Sequence, residues 1–207
     1  MAEVKVLVEG YHIKDIEGRP IVGSTVTLIK SRNNIIVDTG SFLDTDTLIS
    51  ELDKEGLTPE DIGIVVLTHL DLDHVVNTYL FRKSKIFLKF RGGEYPGQIH
   101  FPSDGRVERT DLLEKNLIDE DIEIMLTPGH AEDMISVIVS TPEGKVVISG
   151  DAFPSKEWTD FNRQHDPLMA DVNKFDESRK KILEVADYII PGHGEMFKVN
   201  LLDRPNS

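Results

Sequence analysis

The chain has 207 residues, 39% hydrophobic and 29% charged, and its 23 basic and 37 acidic side chains leave a net charge of −14. That length is enough for one large domain with a proper core, and the negative balance repels phosphate backbones, which disfavours a nucleic-acid partner. The sequence has no cysteine, so disulfides and thiolate metal ligands are excluded, and a reducing compartment is the simplest home.

The N-terminal MAEVKVLVEG has no basic stretch followed by a long apolar one, so no signal peptide is read there. No apolar run approaches the ~18 residues that a membrane span needs, and the expectation is a soluble cytoplasmic protein. In chain order, strand-like runs fall at 4–8, 24–30, 35–37, 63–67, 85–90, 98–101, 122–126, 135–140, 146–149 and 188–190. The runs Ile64-Val65-Val66-Leu67 and Val146-Val147-Ile148 are continuous rather than alternating, as in central strands covered on both faces. Helical spacing appears at 45–54 (Leu48, Ile49, Leu52), at 74–81 and at 178–186 (Ile182, Leu183, Ala186). Thr58-Pro59-Glu60-Asp61 reads as a short helix start. Two long irregular segments, 91–109 and 152–172, stand out, and segments of that length are usually functional or poorly ordered. Strands and helices are mixed with no linker between them, so a single α/β domain over residues 1–207 is expected.

The densest chemical signal is Thr68-His69-Leu70-Asp71-Leu72-Asp73-His74, directly after the apolar run 64–67. It places two imidazoles and two carboxylates within six consecutive residues. Three further ligand-type side chains stand at the ends of other strand-like runs: His130 in TPGH, Asp151 after VVISG and His193 in IIPGHG. Glycine beside each of them lets the backbone turn and approach a site closely, and strand ends are where α/β sheets gather site residues. Imidazole nitrogen and carboxylate oxygen suit first-row divalent metals, and seven such groups are too many for one tetrahedral ion. Four histidines with three aspartates fit two ions, one carboxylate shared, with an acidified water between them.

These motifs, in this order, resemble the metallo-β-lactamase-fold superfamily, and within it the glyoxalase II and lactonase group of metallohydrolases. The resemblance takes in STVTL at 24–28, IVDTG at 36–40, THLDLDH, TPGH at 127–130, Gly150-Asp151 and PGHG at 191–194, nearly the whole chain. Residues 177–199 look especially like the small proteins described as metallo-β-lactamase-domain-containing. The resemblance implies an αββα four-layer sandwich with a dimetal site along one edge of its two sheets. It implies a first metal site from His69, Asp71 and His130, a second from Asp73, His74 and His193, and Asp151 bridging both. It also implies a catalytic role for Asp73, orienting the nucleophile and passing a proton to the leaving group. One position departs from the family pattern His-x-His-x-Asp-His: Asp71 stands where the second histidine is usual. A carboxylate there is similar to flavodiiron proteins, and an oxygen ligand shifts preference toward iron or manganese. Two divalent ions per chain are therefore expected, zinc or iron, with manganese also compatible.

The loop after Asp151 contains WTDFNRQHDP, in which Trp158 offers an apolar wall and Arg163 and His165 offer contacts to an anionic substrate group. His12 reads as a surface residue, His100 as structural, and the charged stretch 177–181 as a solvated helix face. Asp38 reads as structural, with a hydrogen bond to a metal-ligating histidine. The expected activity is hydrolysis of an ester, thioester or lactone of a small substrate by a metal-bridging hydroxide, with a phosphodiester as a further bond type. Two alternatives stand beside it: a di-iron redox enzyme acting on oxygen, peroxide or a sulfur species, and a non-catalytic metal-binding protein. The partner expected is a small molecule, with no membrane, nucleic acid disfavoured and a homodimer left open.

Overall fold

The computed structural model describes residues 1–89, 107–109 and 117–204. Its strands, in chain order, begin with β1 (Glu3–Val8), β2 (Tyr11–Lys14), β3 (Pro20–Gly23), β4 (Val26–Lys30), β5 (Asn34–Val37), β6 (Ile64–Val66) and β7 (Lys85–Leu88). They continue with β8 (Val107–Arg109), β9 (Leu117–Asp119), β10 (Ile122–Leu126), β11 (Ile135–Thr141), β12 (Gly144–Gly150), β13 (Tyr188–Pro191) and β14 (Phe197–Lys198). The helices are α1 (Thr45–Lys54), α2 (Leu72–Val75) and α3 (Val172–Val185), with short 3₁₀ turns between.

Two six-stranded sheets carry the fold, one in the order β1-β4-β5-β6-β7-β8 and the other β14-β13-β12-β11-β10-β9, with β2 and β3 as a separate hairpin. The side-chain period of a strand explains the layering. Ile35, Val37, Ile64 and Val66 of the first sheet face Ile124, Val137, Ile148 and Ile190 of the second in one dry core. The intervening residues Ile36 and Val65 turn outward onto Leu48 and Leu52 of α1. Ile138, Val147 and Ile189 turn outward onto Phe175, Ile182 and Leu183 of α3. This is the αββα sandwich, and it is why the central runs are apolar on both faces. Leu48 and Leu52 are fully buried, each contributing about 1.5–3 kcal/mol by removal from water. No helix among the described residues is long and apolar enough to cross a membrane.

The strand read over 98–101, with His100, lies outside the described residues, as does most of the irregular segment 91–109. The helix read over 74–81 is divided. α2 gives way at Val76 to a 3₁₀ helix over Val76–Leu80. There the Asn77 side-chain amide donates to the carbonyls of Thr39 and Ser41. The helix read over 178–186 begins earlier, at Val172, because Asp171 caps it by accepting from the Lys174 amide. The solvated-face reading of 177–181 needs correction at Arg179, which is fully buried. Residues 175, 179, 182 and 186 recur at helical spacing, so Arg179 rides the apolar stripe of Phe175, Ile182 and Ala186.

Candidate metal centre

Five strands deliver side chains to one edge of the sandwich. β5 runs into Asp38, β6 into Thr68 and His69, β10 toward His130, β12 into Asp151 and β13 toward His193. Parallel pairing of β5 with β6 and of β12 with β13 aligns their C-terminal ends. All seven ligand-type residues expected from the sequence come together here. His69, Asp71 and His130 form one group whose donor atoms lie within 4.8 Å of one another, as do Asp73, His74 and His193, and as do His69, His74 and Asp151. His130 Nε2 lies 3.2 Å and His69 Nε2 3.4 Å from Asp71 Oδ2. Asp73 Oδ2 lies 3.8 Å from His74 Nε2 and 3.7 Å from His193 Nε2. Asp151 reaches both groups: its Oδ1 is 3.4 Å from His74 Nε2, and its Oδ2 is 3.1 Å from His193 Nε2 and 3.6 Å from His130 Nε2.

These separations test the fit of an ion. Two ligands on a tetrahedral ion with bonds of roughly 2.1 Å stand about 3.4 Å apart, the middle of the range just given. Four buried atoms of the cluster, His69 Nε2, His74 Nε2, Asp73 Oδ2 and Asp151 Oδ1, have no hydrogen-bond partner among the described residues. Buried polar atoms are costly when left so, and lone pairs converging at ligand spacing suit a cation.

The other ring nitrogens are occupied, which fixes the tautomers. His74 Nδ1 donates to Asp38 Oδ2 at 2.8 Å. Asp38 also accepts from the Thr68 amide at 2.8 Å and from the Thr68 hydroxyl at 2.7 Å. With its proton committed there, Thr68 Oγ1 is the acceptor for His69 Nδ1 at 3.0 Å. His193 Nδ1 donates to the Gly23 carbonyl at 3.0 Å, tying the β2–β3 hairpin to the cluster. Three imidazoles thus present an Nε2 lone pair inward. Asp38 has a positive φ of 56°, a strained setting for a non-glycine residue and one that clusters at functional sites.

Charge follows the same geometry. Burial pushes His74 toward its neutral form, but Asp38 and Asp151 outweigh it and hold its pKa well above the ordinary value. Burial likewise opposes charge on His130 and His193; Asp71 and Asp151 lift His130, and Asp151 lifts His193. The hydrogen bond with His130, and the His69 imidazole alongside, hold Asp71 far below the usual carboxylate range. Asp151, pushed up by burial, is brought well down by His193 and His74.

Two glycines make room for the cluster. A Cβ on Gly129 would lie 2.2 Å from Phe175 Cα, and its φ is +144°. A Cβ on Gly192 would lie 1.9 Å from Asp151 Oδ1. Gly192→Ala is therefore expected to displace the Asp151 carboxylate and weaken metal retention by roughly 10–100-fold, measured by competition with a chromogenic chelator.

The loop residues behave less uniformly. Trp158, Arg163 and His165 all line a cavity of about 880 Å³ that also contains Asp71, Asp73 and His193. Trp158 is only 8% exposed, and its ring packs edge-on against Phe175. His12 is exposed as expected, but it too lines the cavity, with its ring 6.5 Å from that of His193. The sequence reading missed the β2–β3 hairpin as a cavity wall; the signal available was Asp15-Ile16-Glu17-Gly18, a turn in which Asp15 Oδ1 accepts from the amides of Glu17 and Arg19.

Comparison with known proteins agrees with this architecture. The profile of the metallo-beta-lactamase superfamily matches residues 19–193. Metallo-beta-lactamase domain-containing protein 1 of Xenopus laevis is 36% identical over 201 residues, covering 95% of this chain and 81% of its own. The chain spans 64%, 62% and 61% of the rat, mouse and human proteins of that name. A Methanocaldococcus jannaschii protein named a probable metallo-hydrolase is 33% identical over 172 residues, 81% of this chain and 75% of its own. Among solved structures, an N-acyl homoserine lactone hydrolase with its product at the catalytic metal center superposes with a TM-score of 0.64 at 17% identity. That alignment covers 88% of this chain and 87% of the hydrolase, and at such identity it speaks to the fold alone. With a relative matched over 95% of this chain and the superfamily profile running through His193, this chain belongs to the metallo-beta-lactamase superfamily.

Proposed function

We propose that the chain is a dinuclear metal-dependent hydrolase acting on an ester, thioester or lactone of a small substrate. His69, Asp71 and His130 would hold one divalent ion and Asp73, His74 and His193 the other, with Asp151 placed between the two groups to serve both. The observation that carries this reading is the convergence of four buried, unpartnered donor atoms at ligand spacing. Two bound ions supply electrophilic polarisation of a carbonyl and a water that ionises near neutral pH. The protein's own part is positional and protolytic. Asp38 and Thr68 hold His74 and His69 in the liganding tautomer. Asp73, with Oδ2 buried and unpartnered, is assigned the proton of the attacking water and its transfer to the leaving group. Trp158, Arg163 and His165 line the cavity and contact the substrate.

The test is metal content per chain after anaerobic purification, followed by a screen of lactones, thioesters and phosphodiesters. Two ions per chain with metal-dependent turnover is the expected result; one ion or none would sink the seven-ligand assignment. Asp71 favours a second reading, a di-iron redox centre, because its oxygen replaces an imidazole. Two irons with oxygen or peroxide turnover and no hydrolysis would establish that reading instead.

A pH dependence follows from the histidines. In metal-free protein the raised values of His74, His130 and His193 stabilise the fold below the ordinary 6.5, and this is lost as pH rises through the raised values. The lowered Asp71 and Asp151 stabilise it above 3.8, and this is lost as pH falls. Ion binding needs neutral imidazoles and so releases protons. The thermal midpoint of metal-free protein is therefore expected to fall from about pH 6 to about pH 9, while the gain on adding metal grows. Scanning calorimetry at several pH values checks both slopes.

A further inference from the structure

The cavity above the cluster has two walls, the β2–β3 hairpin on one side and the loop between Asp151 and α3 on the other. Each wall lines the cavity with a cation that has no ion pair among the described residues: Lys14 from the hairpin and Arg163 from the loop. Elsewhere on this acidic surface basic side chains find carboxylates readily, as in Lys30–Glu55, Arg19–Asp15 and Lys83–Glu60. The loop's own acids are committed to its backbone. Asp166 Oδ1 accepts from the Leu168 amide at 2.8 Å, and Asp160 Oδ1 from the Asn162 amide at 2.9 Å. Glu157 is the acid of this wall whose charge is coupled to that of Arg163, with no ion pair between the two among the described residues.

The loop wall is also built from behind. Arg163 lies over the Trp158 ring, 5.1 Å from its centroid. Buried Arg179 donates through Nη1 to the Trp158 carbonyl and through Nη2 to Asp176 Oδ1 at 2.5 Å. Asp176 Oδ1 in turn lies 2.8 Å from His165 Nε2. A guanidinium inside an aromatic cluster is expensive to bury. Here it holds the segment bearing Arg163 and His165 against the cavity.

We propose that Lys14 and Arg163 form a binding point for an anionic group of the substrate, a carboxylate or phosphate distinct from the scissile bond, and that Arg179 is the positioning residue for its loop side. This rests on the hydrolase reading for the word substrate but not for its measurement. The probe is monomethyl succinate, a singly charged ester, with uncharged dimethyl succinate as control, titrated into zinc-loaded full-length protein and followed by amide NMR shifts. Monomethyl succinate is expected to bind more tightly than the diester, and Arg163→Gln and Lys14→Gln, both at exposed positions, are each expected to weaken it roughly tenfold. Equal affinity in wild type and both variants would place the carboxylate on the metals alone and overturn the proposal, as would no preference over the diester. Hydrolysis of the two esters is read separately: absence of metal-dependent turnover would remove the hydrolase reading while leaving the binding result to stand or fall by itself.

Discussion

Asp151→Ala is expected to lower metal affinity by roughly 10²–10³-fold, the equivalent of about 3–4 kcal/mol, and to remove hydrolysis with it. Asp151 is the side chain common to both halves of the cluster, within 3.4 Å of His74 Nε2, 3.1 Å of His193 Nε2 and 3.6 Å of His130 Nε2. On the proposed assignment its loss would take a ligand from each ion and a negative charge from between them. Asp151→Asn keeps the shape and removes the charge, so comparing the two separates geometry from electrostatics. Metal-free protein gives an independent readout, because Asp151 helps raise His74, His130 and His193. The alanine variant should therefore lose less stability than wild type between about pH 6 and about pH 9. Two ions retained per chain in Asp151→Ala would rule out the bridging role.

The parts of this architecture legible in the sequence are those in which one residue's position is dictated by its neighbours. Ile64-Val65-Val66 announces a strand buried on both faces, and that alone places the side chains it delivers at its mouth. The convergence of the seven ligand-type residues was legible for the same reason: each follows a strand, so the fold's topology brings them to one edge. What was not legible depends on long-range contact. Nothing local to Arg179 says that its guanidinium meets the carbonyl of Trp158, 21 residues earlier in the chain. Its charge argued for solvent, while its phase with Phe175 and Ile182 argued for the interior; the second argument was the stronger, because α3 buries one face against the second sheet. The hairpin wall escaped for another reason. β2 is largely exposed, so no apolar alternation marks it.

The cavity wall and the metal cluster also differ in how firmly each is held. The cluster's imidazoles are locked by Asp38, Thr68 and the Gly23 carbonyl, all on strands or at their ends. The loop wall of the cavity is instead an irregular segment, secured at its far end by Ala170 and Asp171, whose amides donate to the carbonyls of His130 and Gly129. The proposed function thus puts chemistry on the strand-borne frame and selectivity on the loop, the division expected where one scaffold serves many substrates.

Asp38→Ala is expected to destabilise the metal-free protein by about 3–5 kcal/mol and to weaken metal binding by roughly 10–100-fold. The carboxylate is 2% exposed and accepts three hydrogen bonds, from the Thr68 amide, the Thr68 hydroxyl and His74 Nδ1. Alanine leaves all three donors buried and unsatisfied, and it inherits a φ of 56° that its Cβ tolerates poorly. Asp38→Gly removes that strain alone and should recover about 1 kcal/mol of the loss without restoring affinity. Asp38→Asn, at ease in the left-handed region, can still accept from the Thr68 amide but offers no charge to His74, so it should recover stability more than affinity. Denaturant unfolding of metal-free protein and chelator competition read the two effects separately. A variant that lost stability while binding metal as wild type does would show that the ions themselves orient His74 and His69. Loss of affinity in all three would mean that Asp38 sets the tautomers before any ion arrives.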